Sequence, residues 1–446
     1  MTICKLSLFG SLPLLLTWGV AVAQQGQPVG GYKLLKTIVV PGGLSVFDIS
    51  WVDSANARYY LTDRGNAGTN PLAPPRIDVF DTEHDVYLSS IILPTFANGI
   101  LAIPRAHELW VGLNDSTVAV INTDNYTIEH FVSTGGKARA DEIAYDPADH
   151  VIVIANDQDT PPFVTFISTD SYTALKTVNY DGIAGPQSTG GIEQPVWDGP
   201  AGKFYLAIPA TKANPNGEVD ELDPISMSVT NVFPSNCTGP AGLVLIPGQR
   251  LMTSCGDVID IATGKVLTTV KGVGGDEIWY NSGDQRVYFG GGTDRISVSV
   301  VDVNSNALLT TFVVGQILAA PAVSQRTHSV AADAGNNKVF VPVAGVGLQV
   351  WRNGASLGAS SNPIVVTGGA NGTVTIRWDA PNAESVQIRI GSPTGPLFAE
   401  GGNRGSVETG PWVSEGLTFY LQDISGGQPL TANNTLATLV MHLQKI

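Results

Sequence analysis

The chain has 446 residues, room for one large domain and one small one, and a formal net charge of −15. Charged residues make up only 14%, against 50 Gly and 28 Pro, a balance that excludes helical bundles and coiled coils and suits turn-rich β structure. An acidic chain with no Lys/Arg cluster also excludes nucleic acid and anionic membrane surfaces as partners.

In chain order, residues 1–23 predict a secretory leader. Lys5 gives the positive start, Leu12, Leu14, Leu15, Leu16 and Val20 the apolar stretch, and Ala21-Val22-Ala23 the small residues at the cut. No later segment has the apolar length to span a bilayer. The expectation is a secreted or periplasmic monomer without membrane insertion.

Residues 24–355 carry one pattern seven times. A turn leads into a mostly apolar run, then a polar or glycine-rich break, then a second β-rich run. The starts are Phe47-Asp48-Ile49-Ser50-Trp51, Asn98-Gly99-Ile100-Leu101-Ala102, Asp141-Glu142-Ile143-Ala144-Tyr145, Glu193-Gln194-Pro195-Val196-Trp197, Ala241-Gly242-Leu243-Val244-Leu245, Asp276-Glu277-Ile278-Trp279-Tyr280 and His328-Ser329-Val330-Ala331-Ala332. Their spacing, roughly 35 to 52 residues, is that of propeller blades. The predicted fold is all-β: a seven-bladed β-propeller of four antiparallel strands per blade. The seventh unit lacks a rim strand, and the run from Tyr32 to Val40 supplies one, so the N-terminal strand is expected to close the ring and remove an exposed edge. Residues 356–362 read as a small-residue linker. Residues 363–446 read as a β-sandwich with Trp378 and Tyr420 in its core.

Cys237 and Cys255 remain after the leader is removed. Both fall at the same end of the fifth unit, which predicts a disulfide in an oxidising compartment. A metal thiolate pair is the alternative, but it lacks further Cys ligands.

The seven strand starts line one mouth of the central channel. They supply Asp48, Asn98, Asp141, Glu142, Glu193, Gln194, Gly242, Asp276, Glu277 and His328. In one reading Glu142, Glu193 and Glu277 gather on Ca²⁺ or Mg²⁺, which take carboxylate and water oxygens, and His328 serves as acid or base in metal-assisted hydrolysis. In the other, no metal binds. Asp48, Asn98, Asp141, Gln194 and Asp276 hydrogen-bond a small polar ligand such as a sugar acid, and Arg64 clamps its carboxylate. Polar strand starts in a wet channel also need no ligand, and Arg64 can instead pair with Asp63 or Asp48. Two long loops on this face, Asn66–Arg76 and Asp181–Gly191, are candidates for shaping a pocket.

The runs Tyr59-Tyr60-Leu61-Thr62-Asp63-Arg64, Ile77-Asp78-Val79-Phe80-Asp81-Thr82, Val118-Ala119-Val120-Ile121-Asn122-Thr123 and Val300-Val301-Asp302-Val303 resemble the YVTN repeat-like propellers, which include lactonase-like proteins. The resemblance covers about residues 32–352. It implies a propeller and, as one activity of such folds, lactonase-like hydrolysis; a non-catalytic scaffold or a recognition module for a glycan or protein is the other. Thr373-Val374-Thr375-Ile376-Arg377-Trp378-Asp379 through Phe419-Tyr420-Leu421-Gln422-Asp423 is similar to bacterial immunoglobulin-like accessory domains.

Overall fold

The computed structural model describes residues 32–65, 73–292, 294–319, 324–366, 371–432 and 434–445. The expected leader, and residues 66–72 of the first long loop, lie outside the described residues. Among those described, all regular structure is β apart from two short 3₁₀ turns, Pro104–Ala106 and Ser425–Gly427. No helix is long and apolar enough to cross a membrane.

Between Tyr32 and Asn353 the strands form seven four-stranded antiparallel sheets, each built from consecutive strands except the last. The third sheet shows the logic. Its strands are Ile143–Asp146, Val151–Asn156, Phe163–Ser168 and Thr173–Asn179. The second is buried along its whole length, while the fourth, Thr-Ala-Leu-Lys-Thr-Val-Asn, buries only Val178. β-Branched residues favour the pleated conformation throughout, but only the inner strands are apolar on both faces.

The turn after the first strand of four sheets uses the same chemistry. Asp146 Oδ1 accepts from the amide of Ala148 at 2.8 Å. Asp53, Asn281 and Asp333 do the same for Ala55, Gly283 and Gly335. A short side chain that accepts from the backbone two residues on fixes the reversal.

Tyr32–Ile38 completes the last sheet, pairing antiparallel with Gly347–Asn353 so that Tyr32 faces Asn353 and Ile38 faces Leu348. Tyr32 is pinned beyond the ladder. Its hydroxyl lies 2.9 Å from that of Tyr288 and accepts from Arg286 Nη1 at 3.0 Å, and its ring stacks on Phe312.

Neighbouring sheets share apolar cores. Ile100 and Val111 of the second sheet pack with Ile77 and Val79 of the first, and Phe204 of the fourth packs with Phe166 of the third. Phe340 and Leu348 of the last sheet pack with Tyr59, Leu61 and Phe80 of the first.

Beyond Asn353 a separate core gathers Ile376, Trp378, Val386, Ile388, Phe419 and Leu421 between a three-stranded and a four-stranded sheet. The expected linker is corrected here. Ser356–Ala359 form a strand paired with Thr375–Asp379. Its residues are small, but Leu357 and Ala359 alternate into the core and give it a buried face. Tyr420 is only partly buried, on the outer side of its strand. Arg286 Nη2 reaches Asp379 Oδ2 at 3.2 Å, and Arg404 Nη2 donates to the Asp284 carbonyl at 3.4 Å, linking this unit to the sixth sheet.

Cys237 and Cys255 are joined, as expected. The adjacent turn is held by Asp257 Oδ2, which accepts from Ser235 Oγ and from the amides of Asn236 and Cys237.

Tyr32→Phe keeps the ring stacking but leaves the Tyr288 hydroxyl and the Arg286 guanidinium short of a buried partner. Urea denaturation should show a loss of about 1–3 kcal/mol; unchanged stability would mean that the hydroxyl does not help to hold the N-terminal strand.

Candidate functional site

Five sheets send side chains to one place at the starts of their inner strands. Arg64, just past the second strand of the first sheet, donates through Nη2 to Asp48 and to Asn98 Oδ1, the latter at 2.6 Å. Asn98 is buried and donates to the Ala140 carbonyl at 3.1 Å. Arg139 forks onto Asp157, with Nε–Oδ1 at 2.9 Å and Nη2–Oδ2 at 2.7 Å. It also lies 2.7 Å from Asp141 Oδ2 and 3.6 Å from Asp48 Oδ2. His328 stacks on Phe47, with Nε2 3.4 Å from Asp48 Oδ1. Glu142 and Glu277 face each other, each more than nine-tenths buried.

Asp48 is thus the hub. Burial alone would raise its pKa, but the His328 ring and the Arg64 and Arg139 guanidiniums outweigh burial and hold the carboxyl below its ordinary range. The opposite holds across the mouth. Burial, together with the charge on Asp48, drives Asp141 well above the usual carboxylate range. Burial and the facing acid do the same to Glu142, and burial with the Asp276 charge does so to Glu277. Glu193 is pushed up to about 8 by burial and the nearby Asp157 and Asp276 charges. Among the described residues, several buried polar atoms lack a hydrogen-bond partner, including Arg64 Nε and Asp141 Oδ1 at this mouth, and His328 Nε2 has none beyond its ion-pair contact with Asp48.

The other expected residues sit nearby with different work. Gln194 Oε1 accepts from the Leu243 amide at 2.6 Å, tying the fourth sheet to the fifth. Asp276 lines a polar cavity of about 480 Å³ with Arg295, His328 and both cysteines. Its carbonyl accepts from the Gly242 amide at 3.0 Å. A Cβ on Gly242 would lie 2.5 Å from that carbonyl oxygen, so the fifth unit contributes no side chain at this position. His328 also lines a second cavity, of about 370 Å³, with Phe47 and Arg326.

Arg64 is spent on Asp48 and Asn98, the alternative left open for it in the sequence. Glu142, Glu193 and Glu277 do not bring three carboxylate oxygens within 4.8 Å of one another. Among the described residues only Cys237, Cys255 and Asp257 are so gathered, and those sulfurs are consumed by the disulfide. A preformed three-glutamate cation cage therefore does not fit the geometry.

Two features escaped the sequence reading. Arg139, which neutralises the mouth, stands two residues before Asp141 with nothing local to mark it. The aromatic lower channel had a visible signal: the last residue of four start motifs is Trp51, Tyr145, Trp197 or Tyr280. These residues line a cavity of about 370 Å³ together with Trp279.

No family model matches the chain, and no curated protein matches it. Among solved structures, a chain in a crystal structure of the mitotic checkpoint complex superposes with a TM-score of 0.54 at 14% identity, covering 76% of this chain and 98% of that one. Matches extend to 1192 solved chains, so the architecture is common and says nothing of chemistry. The likeness carries the fold alone: this chain contains a β-propeller.

Because Glu142, Glu193 and Glu277 hold protons in the folded state that the unfolded chain releases above about pH 4.3, their effect on stability falls as pH rises. The loss runs from that pH up through about 8, the folded value for Glu193. Asp48, shifted the other way, matters only at lower pH. Calorimetry from pH 5 to 8 should show a declining Tm, and Glu142→Gln should flatten the decline. Parallel curves for the two proteins would contradict the assignment.

Proposed function

We propose that the seven four-stranded sheets are the seven blades of a ring closed by the N-terminal strand. The chain is then an exported recognition module that holds a small polar ligand at the channel mouth, with an immunoglobulin-like unit behind it. One observation carries this reading. Residues as far apart in sequence as Asp48, Asn98, Asp157 and His328 are bonded or paired through Arg64, Arg139 and Asp48 into one network. That network leaves the buried Asp141 Oδ1 without a partner.

The charge balance selects the ligand. Both mouth arginines are already paired with carboxylates, and carboxyls with raised pKa values both donate and accept hydrogen bonds near neutral pH. A neutral, hydroxyl-rich molecule such as a sugar suits that surface better than a sugar acid, which would meet more acidic groups than free cations. A thermal-shift screen should show neutral sugars raising Tm, sugar acids doing less, and Asp141→Asn abolishing the gain. Ca²⁺, Mg²⁺ and EDTA should leave Tm unmoved. Stabilisation by sugar acids or by Ca²⁺ instead would reject this choice of ligand.

A second reading, a lactonase-like hydrolase, is favoured by the pairing of His328 with Asp48 beside two cavities. A carboxylate that orients an imidazole is the usual support for general acid–base work. A panel of lactones should then be hydrolysed with His328→Ala reducing turnover by about 10²-fold or more; equal rates for the two proteins would dismiss the role.

A further inference from the structure

At the far end of the channel from the mouth, Trp51, Tyr145, Trp197, Trp279 and Tyr280 wall a cavity of about 370 Å³. Each is half-buried, with part of its ring left uncovered. Trp51 and Trp279 meet edge to face, with centroids 5.2 Å apart. The same two tryptophans, with Gln194, Ile143 and Ile278, also line the narrow waist just above, where Glu142 and Glu277 stand. The carboxylate pair therefore borders a space continuous with the aromatic walls.

Among the groups acting on the waist none is basic. The groups acting on Glu142 are Glu277, Asp141 and Glu193, and those acting on Glu277 are Asp276, Asp48, Asp141 and Glu142. All are acids, whereas Arg64, Arg139 and His328 are engaged at the mouth with Asp48, Asn98, Asp141 and Asp157. Two carboxyls this deeply buried lack a cation. The walls below them are indole and phenol rings, whose faces are the negative side of the ring quadrupole.

From this geometry we infer a second binding site, in the lower channel, for an organic ammonium ion. Its methylated or alkylated head sits among Trp51, Trp279 and their aromatic neighbours, beneath the Glu142–Glu277 pair, which releases a proton to solvent as the cation enters. A hydrated metal ion suits the place poorly, because the walls are mostly aromatic and aliphatic side chains rather than the several oxygens it needs. A weakly hydrated quaternary or tertiary ammonium loses little water on entering and gains cation–π attraction on several sides. The cavity volume falls within the range of small-molecule sites. The site does not depend on a ligand at the mouth, although Glu142 and Glu277 lie between the two.

The test uses choline chloride as probe, titrated by calorimetry and by tryptophan fluorescence at constant ionic strength. The control is choline's neutral isostere, with a quaternary carbon in place of nitrogen. Choline should bind saturably and perturb tryptophan emission, and the isostere should bind about tenfold or more weakly. Trp279→Leu should weaken choline about tenfold or more, and the paired substitution Glu142→Gln with Glu277→Gln should do likewise. Tyr145→Leu is the substitute should the tryptophan variant not fold, and unchanged choline affinity in whichever folds overturns the proposal. Absence of saturable binding, or equal affinity for the isostere, also overturns it. Asp141→Asn, which should abolish sugar binding at the mouth, should keep choline affinity. If it loses that affinity, choline sits at the mouth and the lower site is rejected.

Discussion

Everything in the larger part of this protein follows from sheets whose second strands are buried on both faces. Val151–Asn156 is buried from end to end, and so are Glu108–Leu113 and Lys338–Val343 in their own sheets. A sheet with one apolar face is satisfied by one neighbour, but a sheet with two needs two. No sheet in such a series can be terminal without leaving a face in water. Packing the last sheet on the first through Phe340, Leu348, Tyr59 and Phe80 answers that need. The same constraint crowds the starts of the inner strands together, so the polar mouth is a by-product of apolar packing.

That crowding sets the electrostatics of the channel. At the mouth, two arginines and a histidine converge on Asp48, and the acid stays ionised. A few residues deeper the arginines no longer reach, and Glu142 faces Glu277 without compensation. Buried like charges at short range cost more than most hydrogen bonds return. A fold that keeps them is holding either protons or a cation there. The two ends of the channel also differ in chemistry. One is lined by carboxylates and guanidiniums, the other by indole and phenol rings, with an aliphatic belt of Ile100, Ile143, Ile278 and Val330 between.

Much of the architecture was legible because strand patterning and turn chemistry are local. The third and sixth units emerge from strand patterning and Asx-type turns, and the pairing of the N-terminal run with Gly347–Asn353 from the seventh unit's missing rim strand. Ser356–Ala359 was misread because small residues look like a linker unless the alternate positions are known to be covered. Which residues reach the mouth was legible from the repeat phase, and the structure brings Asp48, Arg64, Asn98, Asp141 and His328 together. What each does there was not. Arg139 decides how many carboxylates are neutralised, and its reach depends on a connection whose path the sequence does not encode locally. The partnership of Gln194 with a backbone amide of the next sheet depends on the packing of the two sheets.

Arg286 deserves a mechanical reading. Its guanidinium touches Tyr32 from the first described strand, Asp284 beside its own strand, and Asp379 from the C-terminal unit. The strand Tyr32–Ile38, the sixth sheet and the C-terminal unit are therefore fastened to one another at a single buried side chain. Loss of that one guanidinium would weaken both attachments at once.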